Sequence, residues 1–154
     1  LNHLGNLLKA VEKDDPVYGE ALGLMVDQLI ENAMKWEDIG RYDEALKIYF
    51  QARRMDKDNP RLVELYIRAK AYEDLTIEDF GKILIGMDNN DLHKIAGNPF
   101  KIERKTDEMG NEIHEYHFLT KANKWDSVVI TLDEDLKIID KKFPQIIEEE
   151  QEKE

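Results

Sequence analysis

The chain has 154 residues and a formal net charge of −12, with 42% hydrophobic and 36% charged residues. This balance predicts a folded chain and disfavours nucleic acid as a partner, because nucleic-acid sites need a basic surface. The chain has no cysteine, which excludes disulfides and cysteine nucleophiles. We predict no membrane-spanning segment, since no apolar run approaches the roughly 20 residues required.

The first half of the chain has a helical pattern. Apolar residues recur every three or four positions in three runs between Pro16 and Asp74. Gly40 interrupts the pattern once and Pro60 interrupts it again. We therefore predict three helices joined by short turns. Residues 1–13 are predicted to be the end of an earlier helix.

One of these helical windows resembles a known family. The segment "GRYDEALKIYFQA", residues 40–52, is similar to the turn and second helix of a tetratricopeptide repeat, and the window 26–59 has that repeat's period of about 34 residues. Asn32 and Lys57 depart from the family pattern. The resemblance implies a helical hairpin that binds another protein along the groove lined by the first helix of each repeat.

The resemblance also implies which residues line that groove. The corresponding positions here are Asp27, Ile30, Met34, Glu37 and Asp38. An apolar centre with acidic neighbours favours a partner segment that is apolar or basic. The alternative is that Ile30 and Met34 pack on a neighbouring helix.

The pattern changes near residue 76. Asp88 is a predicted helix N-cap and Gly97 a predicted helix end, followed by Pro99. Beyond Pro99 the apolar residues alternate, which is typical of strands. "EIHEYHFL" is predicted to place His114, Tyr116 and Phe118 on one sheet face, "SVVITL" to place Val128, Ile130 and Leu132 together, and "LKIID" to follow an acidic turn. We predict an α+β chain in which N-terminal helical hairpins precede short helices packed on an antiparallel β-meander.

This second pattern also resembles a family. "KILIGMDNNDLHKIAGNP", residues 82–99, and "VVITLDEDLKIIDKKFP", residues 128–144, are similar to segments of the SmpA/OmlA (BamE-like) family. The resemblance implies two helices on a three-stranded antiparallel sheet and a binding role in outer-membrane protein assembly. The fusion to a repeat segment departs from that family. The predicted organisation is a repeat-like segment at 1–75, a BamE-like domain at 76–144 and an acidic disordered tail at 145–154.

Candidate chemical groups in the sequence are sparse. His114 and His117 are three residues apart, so on a strand they point to opposite faces and do not converge on one metal ion. His93 has no companion ligand near it in the sequence, and no nucleophile motif or phosphate loop is present. We predict no enzyme activity, no cofactor and no metal. Trp125, which follows "KAN" in a predicted loop, is either part of the sheet core or an exposed binding anchor.

We therefore predict a non-catalytic protein-binding module of a bacterial cell-envelope scaffold. Because the sequence starts at Leu1, we expect any signal peptide or lipid anchor of a lipoprotein to lie upstream. The expected location is the periplasm or the outer membrane. The alternative is a cytoplasmic tetratricopeptide adaptor or co-chaperone. Self-association into a homo-oligomer is a further expectation, because an incomplete repeat array exposes apolar ends.

Overall fold

The computed structural model describes residues 16–147, which form five helices followed by four strands. The helices are α1 (Pro16–Asp38), α2 (Tyr42–Met55), α3 (Pro60–Tyr72), α4 (Ile77–Lys82) and α5 (Asn89–Ala96). The strands are β1 (Lys101–Thr106), β2 (Glu112–Phe118), β3 (Val128–Leu132) and β4 (Ile138–Lys142). This order confirms the predicted α+β class. In the described range, no helix combines the length and the apolar character that crossing a membrane requires.

The described chain divides into two compact units. The helical unit comprises residues 16–37 and 42–70, and the sheet unit comprises residues 38–41 and 71–147. The division falls a few residues before the predicted boundary at 75/76. The reason is Leu75, which is buried in the sheet unit's core and donates its N–H to the carbonyl of Leu119 at 2.9 Å.

The first three residues of the predicted disordered tail are ordered in the sheet unit. Residues 145–147 are held in the sheet unit, where the N–H of Ile147 donates to the carbonyl of Ala122 at 2.8 Å. Asn123 Nδ2 also donates to the carbonyl of Gln145 at 2.9 Å. The predicted repeat end at 1–13 and the rest of the predicted tail, 148–154, lie outside the described residues.

The helical unit buries one stripe of each helix, as the three- and four-residue spacing predicts. Five of the residues in this stripe are alanines. The buried apolar side chains are Ala21, Val26, Leu29, Ile30, Ala33, Tyr42, Ala45, Leu46, Tyr49, Ala52, Leu62, Leu65 and Ala69.

A polar group also lies inside the helical unit. Glu37 of α1 is buried, and its carboxylate accepts a hydrogen bond from the hydroxyl of Tyr49 on α2. Arg68 of α3 donates to both carboxylate oxygens, with Nη2 at 3.0 Å from Oε1 and 2.8 Å from Oε2. Burial raises the pKa of the Tyr49 hydroxyl above its usual range, and the hydrogen bond to Glu37 acts in the same direction. One carboxylate therefore joins all three helices.

The sheet unit contains a four-stranded antiparallel meander in the order β1-β2-β3-β4. This is one strand more than the resemblance implies. Alternate residues of the strands pack with Leu75, Ile83, Leu92 and Ala96 in one apolar core. The strand residues of this core are Tyr116, Phe118, Val128, Ile130, Leu132 and Ile138. The predicted faces of β2 and β3 are confirmed for these residues.

Helix ends and turns in the sheet unit follow the sequence signals. The Asp88 carboxylate caps α5 by accepting the Asp91 N–H at 2.9 Å, and Gly97 ends that helix with φ of 73°. Both features were predicted. Gly40 also has a positive φ of 73°, and a Cβ added there would lie 2.3 Å from backbone atoms of Pro99. Only glycine fits this position without strain.

Candidate functional site: the Trp125 loop

The most exposed tryptophan surface of the described chain lies in the connection between β2 and β3. We call residues 119–127 the Trp125 loop. The side chain of Trp125 is 80% exposed. Of the two predicted alternatives, the structure therefore places Trp125 outside the sheet core. An exposed indole is a large apolar surface that gains free energy when a partner covers it.

The backbone on either side of Trp125 is fixed by one buried side chain. Asn123 Oδ1 accepts the N–H of Trp125 at 2.8 Å and the N–H of Asp126 at 3.0 Å. Its amide nitrogen donates to the carbonyl of Gln145. Asn123 thus shapes the turn that presents the indole and ties this turn to the segment after β4.

The first part of the Trp125 loop is held by residues that precede the sheet in the chain. Asp74 Oδ1 accepts the N–H of Lys121 at 2.8 Å and the hydroxyl of Thr120 at 3.3 Å. The Lys121 ammonium also lies 2.6 Å from the carboxylate of Glu73. The loop therefore has a defined conformation although its tip is exposed, and little backbone entropy remains to be lost on binding.

One basic side chain lies against the indole, and exposed apolar residues lie on the segment bonded to the loop. The Lys124 ammonium lies 5.2 Å from the centre of the Trp125 ring, which is a cation–π contact. Ile146 and Ile147 are exposed on the segment that bonds to the loop. The sequence from Glu148 onward then carries five acidic residues and one lysine. The exposed Ile146 and Ile147, with the acidic sequence that follows them, favour a partner segment that combines apolar and basic residues.

Of the groove residues predicted from the repeat resemblance, some are exposed and others are buried. Asp27, Met34 and Asp38 are exposed on α1. Ile30 and Glu37 are buried, with Ile30 in the apolar stripe and Glu37 in the contact with Arg68 and Tyr49. Ile30 and Glu37 are therefore not available to a partner on this surface. Ile30 follows the helix-packing alternative, and Met34 keeps an accessible side chain.

The two histidines of the H-x-x-H segment lie on opposite faces of β2, as predicted. His114 shares the face of Tyr116 and Phe118 and lies 3.6 Å from a carboxylate oxygen of Glu112. His117 lies on the other face, where its Nδ1 is 3.0 Å from the hydroxyl of Ser127. His93 is in contact with the carbonyl of Gly97 through Nδ1 at 2.9 Å, within the turn that ends α5.

A separate basic cavity lies on the helical unit. It has a volume of about 300 Å³ and is lined by Phe50, Arg53, Arg54 and Lys57 of α2 and the turn after it. The Arg53 guanidinium lies 5.0 Å from the ring centre of Tyr66. This cavity is lined by three basic residues, whereas the Trp125 loop has both basic and acidic residues.

Sequence reasoning missed the residues that position the Trp125 loop. Asn123 Oδ1 accepts the N–H groups of the second and third residues after it, Trp125 and Asp126, which is an Asx-turn pattern readable from "NKWD". The contribution of Asp74 carries no local signal, because its partners Thr120 and Lys121 are more than 40 residues away in the chain.

Comparisons of the chain with protein-family models, with curated proteins and with solved structures found no match.

Proposed function

We propose that this chain is a non-catalytic protein-binding module and that its partner docks on the Trp125 loop. The observation that carries the proposal is an indole 80% exposed on a loop fixed by Asn123 and Asp74. Tryptophan is enriched among the residues that dominate binding energy at protein interfaces. A fixed loop adds affinity because the bound conformation already exists before binding.

The partner that this surface favours presents an apolar segment with basic neighbours. The apolar part would cover the indole and the exposed Ile146, and the basic part would lie near Asp126 and the acidic sequence after Ile147. Charges at the edge of such an interface mainly raise the association rate. Binding should therefore weaken as salt concentration rises, with a larger effect on association than on dissociation.

The proposed setting is the bacterial cell envelope, in a lipoprotein scaffold linked to outer-membrane protein assembly or to stabilisation of a partner. This part rests on the resemblance of residues 26–59 to a tetratricopeptide repeat and of residues 76–144 to the SmpA/OmlA family. The alternative is a cytoplasmic tetratricopeptide adaptor. Fractionation of cells that express the full-length gene separates the two, because a soluble cytoplasmic product would overturn the envelope setting.

The binding role is tested by capturing a partner from envelope extracts and then measuring its affinity for purified variants. Trp125→Ala is expected to raise Kd by about 30-fold, which corresponds to the roughly 2 kcal/mol that marks a dominant interface residue. Met109→Ala is the matched control, because Met109 is also highly exposed (87%) but lies in the β1–β2 turn. Its Kd should equal that of the wild type.

Two results would overturn the assignment to the Trp125 loop. An unchanged Kd for Trp125→Ala would show that the partner binds elsewhere. A loss of binding in Phe50→Ala with none in Trp125→Ala would locate the partner at the basic cavity instead. Light scattering of the purified chain at several concentrations shows whether the partner is a second copy.

A further inference from the structure

The sheet face opposite the apolar core carries a second group of chemically active side chains. We call it the outer face. Glu103 of β1 is the direct cross-strand neighbour of Glu115 on β2, and His117 follows two positions after Glu115. Because side chains alternate along a strand, Glu115 and His117 point to the same face, away from Tyr116. Two carboxylates and one imidazole therefore converge from two adjacent strands.

The distances among these groups are those of a metal-binding set. One ligand atom from each of Glu103, Glu115 and His117 can be chosen so that all three lie within 4.8 Å of one another. His117 Nε2 is already 3.2 Å from Oε1 of Glu103. Ligands of a tetrahedral zinc ion, bonded at about 2.1 Å, are about 3.4 Å apart.

The His117 ring is oriented for this role. Nδ1 lies 3.0 Å from the Ser127 hydroxyl, and the ring packs edge-on against Phe100 with 6.2 Å between ring centres. Nε2 is buried and has no hydrogen bond of acceptable geometry, although Glu103 Oε1 is within 3.2 Å. A histidine whose second nitrogen is held by a neighbour presents the other nitrogen in a fixed direction, as metal-binding histidines do.

Each of the two carboxylates has a lysine ammonium beside it. The Lys101 ammonium is 3.1 Å from Glu103, and the Lys105 ammonium is 2.8 Å from Glu115 and 3.8 Å from Glu103. Both lysine side chains are about half exposed and can move into solvent when another cation takes their place.

We propose that Glu103, Glu115 and His117 form a Zn²⁺ site on the outer face. The imidazole favours zinc over calcium and magnesium, which prefer oxygen ligands. Three protein ligands leave one coordination position for water or for a donor group from a partner. The proposal does not depend on the Trp125 loop, because its three residues lie in β1 and β2.

The test is calorimetric titration of untagged full chain with ZnCl₂ at neutral pH. The wild type is expected to bind with a Kd in the micromolar range or tighter, and His117→Ala and Glu115→Gln should each weaken the site at least 10-fold. His114→Ala is the matched control, because His114 lies on the opposite face of the same strand. Its Kd should be unchanged, and circular dichroism verifies that each variant is folded.

A second variant tests the competition from lysine. Lys105→Met removes the cation nearest Glu115, so zinc should bind several-fold more tightly. The Nε2 resonance of His117 should also shift on addition of zinc in the wild type. Absence of saturable binding, or equal weakening by His114→Ala and His117→Ala, would overturn the proposed site. Unchanged zinc affinity in His117→Ala would do the same.

Discussion

The two units of this chain place their charged groups in opposite ways. The helical unit keeps a carboxylate inside, where Glu37 joins α1, α2 and α3 through Tyr49 and Arg68. The sheet unit has an apolar core and carries its ionic groups on the outer face, where Lys101 and Lys105 bridge Glu103 and Glu115. The period of each element explains the contrast. Alternation in a strand directs successive side chains to opposite faces, whereas the wider helical stripe has edges where a long polar side chain can turn inward.

The contrast has a consequence for specificity. Apolar side chains can exchange neighbours at modest cost, so an apolar core alone tolerates repacking. A buried carboxylate requires particular donors, and its penalty without them is several kcal/mol. We infer that Glu37 selects one arrangement of the three helices. In the sheet, the hydrogen-bonded register of the strands fixes their arrangement.

The largest effect is expected from a substitution in the apolar core of the sheet unit. Phe118 is almost fully buried in the sheet unit's core. Phe118→Ala should lower the free energy of unfolding by about 3–5 kcal/mol, through lost burial and the cavity left behind. Urea denaturation followed by circular dichroism measures this loss. Ile102→Ala, at an exposed position of β1, should change the free energy by less than about 1 kcal/mol.

A smaller loss is expected at the turn after α1. Gly40→Ala would place a Cβ 2.3 Å from the Pro99 backbone at a φ of +73°, so we expect a destabilisation of about 2–4 kcal/mol. Gly23→Ala is the control with opposite sign. Gly23 lies inside α1 with open space around it, and alanine there should stabilise by up to about 1 kcal/mol. Equal effects of the two substitutions in thermal denaturation would contradict the close approach at Gly40.

The third prediction concerns the buried carboxylate of the helical unit. Arg68→Met removes the guanidinium that donates to both oxygens of the buried Glu37 carboxylate. We expect a loss of about 2 kcal/mol, less than for a fully buried pair because the Arg68 side chain is 45% exposed. The double variant Glu37→Met/Arg68→Met should recover most of this loss. Lys47→Met breaks the exposed pair with Glu44 and should cost at most about 0.5 kcal/mol.

Features with a local signal were predictable from the sequence, and features that depend on distant partners were not. The limits of the helices, the Asp88 cap, the positive φ of Gly97 and the faces of β2 and β3 follow from spacing and from neighbouring residues. Glu37 was predicted as a groove residue because its position on the repeat suggested exposure. Its actual partner, Arg68, is 31 residues away.

The candidate sites show the same limit. Trp125 was recognised from its loop, but the residues that fix the loop, above all Asp74, come from a different part of the chain. The set of Glu103, Glu115 and His117 depends on the register between β1 and β2. A shift of two residues would keep the predicted faces but separate Glu103 from Glu115, and the apolar pattern of the sequence does not distinguish these two registers.

The meander order also determines which strands form the edges of the sheet. In the described chain, β1 and β4 are the outer strands, so each has one side without a neighbouring strand in the sheet. Lys101 and Lys105 lie on β1, Lys141 and Lys142 lie on β4, and the β3–β4 ladder is irregular at Thr131 and Leu132. Charged lysines and irregular pairing both oppose the addition of a foreign strand. We therefore expect neither outer strand to pair readily with a strand of another chain.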